Sequence, residues 1–177
     1  MFRKLISFFA MLLLVQGCSY AVPEPKPYQL ESLNRGAIAG DLVIASQPSQ
    51  EVLAHFAAQG YRTVISTRNE DEIDWDEAAL VKELGMEYFQ VPMTKSLNTI
   101  TDMQVKQLNQ ALNNSQKPIL LHSDSANRAA SLWAVWLVEV KGVATQEALR
   151  LGRLMGMTTM RAQVDERLGL TKERKKT

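Results

Sequence analysis

The sequence predicts an α/β fold, a mainly parallel sheet of four to five strands with helices on both faces. Three observations predict it. Short apolar runs bounded by turn residues recur at Leu42 to Ala45, Thr63 to Ser66, Tyr88 to Val91 and Pro118 to Leu121. Stretches with helical periodicity separate them, as right-handed crossovers between parallel strands require. The segment Ala129 to Val138, AASLWAVWLV, is apolar on nearly every side and must be enclosed rather than lean on a core.

Gln47-Pro48-Ser49 opens a helix through Val52, Leu53, Phe56 and Ala57 that Gly60 stops. Asp74 to Leu84 reads as the next helix, with Gly85 as its C-terminal stop, and Pro92 ends the third strand. Thr101 and Gln104 have capping-box spacing and start a helix through Val105, Leu108 and Leu112. Two further helices are expected around Gln146 to Met155 and Met160 to Leu168.

The 177 residues suffice for one domain. Twenty Lys and Arg against nineteen Asp and Glu exclude a nucleic-acid binder built on a dominant basic surface, and no nucleic-acid partner is expected. The single cysteine, Cys18, excludes intrachain disulfides, Cys-rich zinc sites and dithiol redox pairs. The reading calls for no metal and no cofactor.

Residues 1–17 form an export signal: Arg3 and Lys4 precede an apolar run from Leu5 to Val15, too short for a permanent membrane span. Val15-Gln16-Gly17-Cys18 resembles the lipobox of bacterial lipoproteins, which implies lipidation of Cys18; cleavage after Ala21 is the competing reading. Ser19, rather than Asp, follows the cysteine, so the expected place is the periplasmic side of the outer membrane, with a soluble periplasmic protein as the alternative. Residues 18–30 carry Pro23, Pro25 and Pro27 and suit a stiff tether. The folded domain is expected over 31–169, followed by a solvated basic tail at 170–177 with Lys172, Arg174, Lys175 and Lys176.

The candidate chemistry lies between the fourth strand and the enclosed helix, in His122-Ser123-Asp124-Ser125-Ala126-Asn127-Arg128. Ligands of open α/β sheets gather at the carboxyl ends of the strands, and the amides of a helix N-terminus cradle an anion. The planar fork of Arg128 can close over two oxygens. Two readings stand open on this geometry. Either the loop is an oxyanion site, or Arg128 pairs with a nearby carboxylate while Ser123 and Ser125 satisfy loop amides.

Several segments resemble the beta-lactamase hydrolase-like phosphatases, a bacterial branch of the tyrosine and dual-specificity phosphatase superfamily. Ile44-Ala45-Ser46-Gln47-Pro48-Ser49 is similar to the family's opening SGQPS element. Gly60 to Arg68 is similar to its GF-x-TVI-x-LR strand, Gly85 to Pro92 to its GL-x-Y-x-x-IP strand, and Asn127-Arg128-Ala129-Ala130 to the exit of its active loop, His-Cys-x-x-Gly-x-Arg. The resemblance implies a three-layer phosphatase-like fold, a phosphate-binding loop at 122–128, a nucleophile at position 123 and an oxyanion-binding arginine at 128.

The departures bear on catalysis. Position 123 holds serine, which attacks poorly unless a base takes its proton. His122 is its chain neighbour, and adjacent side chains of an extended strand point to opposite faces. His55 lies on an amphipathic helix and reads as a surface residue. Ala126 replaces the loop glycine, at a cost of roughly 1 kcal/mol if the position needs positive φ. Asp124 brings negative charge to an anion cradle unless it turns outward.

Between Pro92 and Thr101, where such phosphatases often keep a general acid, stands Lys95 and no carboxylate; Asp102 has a helix-dipole explanation. The acidic run Glu70, Asp71, Glu72, Asp74 and Asp76 reads as a solvated face, with supply of an acid as its other reading. The expectation is a catalytically impaired phosphatase-like domain that binds a phosphorylated or anionic small molecule or protein. The alternatives are an active phosphoester hydrolase using Ser123 or a loop-positioned water, and a purely structural envelope protein.

Overall fold

The structure is a computed structural model in which residues 20–94 and 99–170 are described. Cys18, Lys95 and the basic tail from 171 onward lie outside the described residues.

Six strands form one sheet: β1 (Lys26–Pro27), β2 (Gly36–Ala39), β3 (Leu42–Ala45), β4 (Thr63–Ser66), β5 (Glu87–Gln90) and β6 (Ile119–His122). Their order is β1-β2-β3-β6-β4-β5. The four strands read from the sequence are mutually parallel, with β6 between β3 and β4 and β5 beyond β4. The two additional strands are antiparallel and extend the β3 edge.

Alternation along these strands sorts their side chains into two cores. Val43, Ala45, Val64 and Leu120 face one side with Leu53 and Phe56 of α1 (Gln50–Ala58) and Val81 of α2 (Glu77–Glu83). Ile44, Ile65, Ile119 and Leu121 face the other, against α3 (Asp102–Asn114), α4 (Asn127–Glu139), α5 (Thr145–Leu154) and α6 (Arg161–Arg167). The result is three layers. Every residue of α4 from Asn127 to Leu137 is buried, as its all-round apolarity requires.

Local signals account for the helix boundaries. The Ser49 hydroxyl accepts from the Val52 amide, and the Thr101 and Gln104 side chains and amides bond reciprocally at the start of α3. The predicted helix from Asp74 begins instead at Glu77, because Asp76 caps the Ala79 amide; upstream, Glu70–Glu72 form a single 3-10 turn.

Within the expected tether, residues 20–30 lie on the domain. Lys26 and Pro27 pair with Ile38 and Ala37 at the sheet edge, where a missing proline amide costs no ladder bond. Glu24 takes two hydrogen bonds from Arg150, at 2.7 and 2.6 Å.

Candidate phosphate-binding site

The parallel strands deliver His122, Ser66, Gln90 and Ala45 to one end of the sheet, and the loop from Ser123 to Arg128 turns there into α4. Two contacts with the segment after β3 fix the loop: Ser125 bridges Ser46, and the Gln47 amide donates to the Asp124 carbonyl at 3.3 Å. Asn127 ties the exit to the connection before α6. Its side-chain Oδ1 accepts from the Thr158 amide at 2.7 Å, and its Nδ2 donates to Thr159 Oγ1 at 2.8 Å.

Ala126 sits at φ +69°, the only positive-φ residue other than glycine among the described residues. The turn therefore demands the left-handed conformation that the substituted glycine would supply. Its methyl is accommodated opposite Gly156, where a Cβ would stand 2.9 Å from it. No side chain caps α4 at Ala126, so the first-turn amides keep the orientation that makes a helix N-terminus attract anions.

Ser123 is wholly buried, and its hydroxyl has no hydrogen-bond partner among the described residues. His122, also wholly buried, faces the α2 layer, with Nε2 3.3 Å from Glu77 Oε2. The contact is close enough for charge attraction, but its direction does not make a hydrogen bond. Glu77 also accepts from Gln47 at 2.7 Å and from the Tyr88 hydroxyl at 3.2 Å. Burial alone would push its carboxyl up; the His122 charge and the surrounding donors outweigh burial and hold it at about 2. No base reaches Ser123 from this side. His55 is exposed on α1.

Arg128 is buried, with both terminal nitrogens engaged and Nε without a hydrogen-bond partner among the described residues. Nη1 donates to Glu72 Oε1 at 2.7 Å and to the Met93 carbonyl at 2.5 Å, and Nη2 donates to Glu72 Oε2 at 2.6 Å. Burial favours its neutral form, but the Glu72 bonds outweigh that and raise its pKa above the usual arginine value. Arg68 braces the same carboxylate: its Nε lies 3.6 Å from Glu72 Oε2, and its terminal nitrogens bond the Glu72 carbonyl and the Gln47 side chain. Asp124 is solvent-exposed but still faces the arginine: its Oδ1 accepts from the Ser125 hydroxyl at 3.1 Å and lies 3.5 Å from Arg128 Nη2.

The acidic run therefore divides. Glu70, Asp71, Asp74 and Asp76 are exposed, as a solvated face would be, whereas the Glu72 side chain is only 9% exposed and enters the site. Glu77, which carried no sequence signal, is the other carboxylate drawn inward. A cleft of about 450 Å³ opens beside it, lined by Ser66, Arg68, Trp75, Glu77, Tyr88 and Gln90. Of the two readings of Arg128, the structure shows the pairing with a nearby carboxylate, Glu72. No cluster of metal-ligating side chains occurs among the described residues.

Comparison with known proteins agrees with the architecture. A beta-lactamase hydrolase-like protein of Xylella fastidiosa strain Temecula1 is 28% identical over 127 residues, 68% of this chain, and the chain spans only 29% of that relative's length. Among solved structures, Tk-PTP in its active form aligns with a TM-score of 0.62 at 18% identity, covering 76% of this chain and 93% of its own. A cysteine-to-serine variant of Pseudomonas aeruginosa TpbA in complex with phosphotyrosine aligns with a TM-score of 0.57 at 19% identity, covering 82% and 95%. These likenesses establish the fold. Residues 38–170 match the family model described as DSP-PTPase phosphatase fused to NAD+ kinase, and over that span the chain belongs to this phosphatase family.

Proposed function

We propose that this phosphatase-like domain is catalytically impaired and binds a phosphate-type anion, carried by a small molecule or a protein, in the loop 122–128. The phosphotyrosine held by the TpbA variant supports that ligand class. One observation carries the reading: Ser123 has a buried hydroxyl and, among the described residues, nothing positioned to take its proton. A thiol at this place would ionise beside the helix N-terminus; a hydroxyl would not. The parts that bind an oxyanion, Arg128 and the first-turn amides, do not depend on that ionisation. The lipobox-like residues before Cys18 support a lipoprotein on the periplasmic side of the outer membrane as its location.

The test is hydrolysis of an aryl phosphate by the native protein, Ser123→Ala and Ser123→Cys, with phosphate titrated calorimetrically into the native protein and Arg128→Ala. The expected outcome is no turnover by the native protein, turnover by Ser123→Cys, and phosphate binding that Arg128→Ala removes. Native turnover that disappears in Ser123→Ala would establish the alternative, an active phosphoester hydrolase.

A further inference from the structure

The ends of the parallel strands opposite the loop carry a second cavity, about 320 Å³, lined by Tyr20, Leu42, Lys117, Trp133, Trp136 and Lys141 among others. Loop and cavity lie at opposite ends of α4, whose 13 residues span about 20 Å. The Tyr20 ring meets Trp136 edge-on at 6.1 Å, and the Lys141 ammonium lies 5.0 and 4.9 Å from the Tyr20 and Trp136 ring centroids. Tyr20 and Val140 are 45% and 40% exposed, among the few large apolar side chains left in solvent. The Glu24–Arg150 bonds and the Lys26–Pro27 pairing fix the chain that follows Tyr20.

We propose that this pole rests on an anionic phospholipid surface, with the loop 122–128 turned away from the bilayer. The inference builds on the lipoprotein reading of Cys18. Only Ser19 separates Cys18 from the docked Tyr20, a reach of at most about 7 Å, so an anchor there leaves no slack to turn another face toward the lipid. The chemistry of the pole fits its place. Tyrosine and lysine combine apolar bodies with polar tips suited to a headgroup layer, and basic groups are drawn to anionic lipid. Asp41, 3.9 Å from Lys117, offsets part of that charge, which leaves Lys141 as the dominant contact.

Tryptophan reports the orientation, because the chain has three: Trp75 beside the loop, and Trp133 and Trp136 at the pole. The full-length protein, processed in cells, is reconstituted into phosphatidylglycerol vesicles with brominated acyl chains. Flotation reads attachment, and fluorescence quenching reads proximity. The expected result is a larger fractional quenching in Trp75→Phe than in wild type, since that variant loses its lipid-remote emitter. Lys117→Glu with Lys141→Glu should lose part of the quenching, as should replacement of the anionic lipid by phosphatidylcholine.

A smaller fractional quenching in Trp75→Phe, or flotation without quenching, overturns the orientation while leaving the anchor intact. Failure to float overturns both readings. Flotation of a Cys18→Ser protein with the same quenching pattern supports the lipid-seated pole and overturns the anchor as its cause.

Discussion

Glu72 and Arg128, 56 positions apart in the chain, meet as a two-bond carboxylate–guanidinium pair with side chains 9% and 5% exposed. The carboxylate occupies the oxygens' side of the fork, so an incoming phosphate must displace it or share the arginine with it. Replacing Glu72 by glutamine removes the competing charge. Phosphate affinity should rise about tenfold, equivalent to about 1.4 kcal/mol, in calorimetric titration. Weaker phosphate binding by Glu72→Gln would show that Glu72 positions the arginine for the anion rather than competing with it.

The same substitution should lower stability. Breaking a buried ion pair typically costs about 3–5 kcal/mol, and the Met93 carbonyl and Asp124 still face Arg128, so the lower end is expected. Thermal unfolding should shift down by about 6–12 °C. Saturating phosphate should recover more of that shift in the variant than in the native protein, since a ligand stabilises in proportion to its affinity.

Acid should weaken the fold through Glu77. Its folded pKa, about 2, lies below the ordinary carboxyl value of 4.5, so the unfolded chain takes up the proton first. The stabilisation is complete above about 4.5 and is lost as pH falls through about 2. Chemical unfolding measured across that window should show a declining midpoint, and Glu77→Gln should flatten the decline. An unchanged slope would remove Glu77 from the account.

Ala126→Gly should be nearly neutral. Relief of the left-handed backbone gains about 1 kcal/mol, and loss of a fully buried methyl costs about 0.8 kcal/mol. A melting shift within roughly 3 °C of native is expected. A gain well beyond that would mean that the methyl opposite Gly156 is strained rather than packed.

Gly152→Ala sets two effects against each other in α5. Helix propensity favours alanine by about 1 kcal/mol, but the added Cβ would stand 2.8 Å from the Ala134 Cβ on α4. Neither group can rotate away, and overpacking of this kind costs about 1–3 kcal/mol. Net destabilisation is expected in denaturant titration; stabilisation would show that α4 and α5 can separate without loss.

The parallel strands and their helices were legible because each carries its own periodicity and stop signals, as at Thr101 and Gly85. Strand β2 was not: Gly36-Ala37-Ile38-Ala39 has small residues with little strand preference and acquires its state from β3. In the site, the loop announced itself by position, and the left-handed turn at 126 only through the glycine that the resembled family has there. Glu72 and Glu77 did not, since their carboxylates belong to an acidic stretch whose composition signals water. Only tertiary placement of the 3-10 turn and of α2 brings them inward, and no local pattern encodes a contact across 56 positions.

The outermost strand is two residues long and includes Pro27, whose nitrogen has no hydrogen to offer. A foreign strand approaching this border finds almost no ladder to extend. Clipping the polypeptide between Pro27 and Gly36 would release that guard and bare Gly36–Ala39, converting a protected margin into a template for self-association.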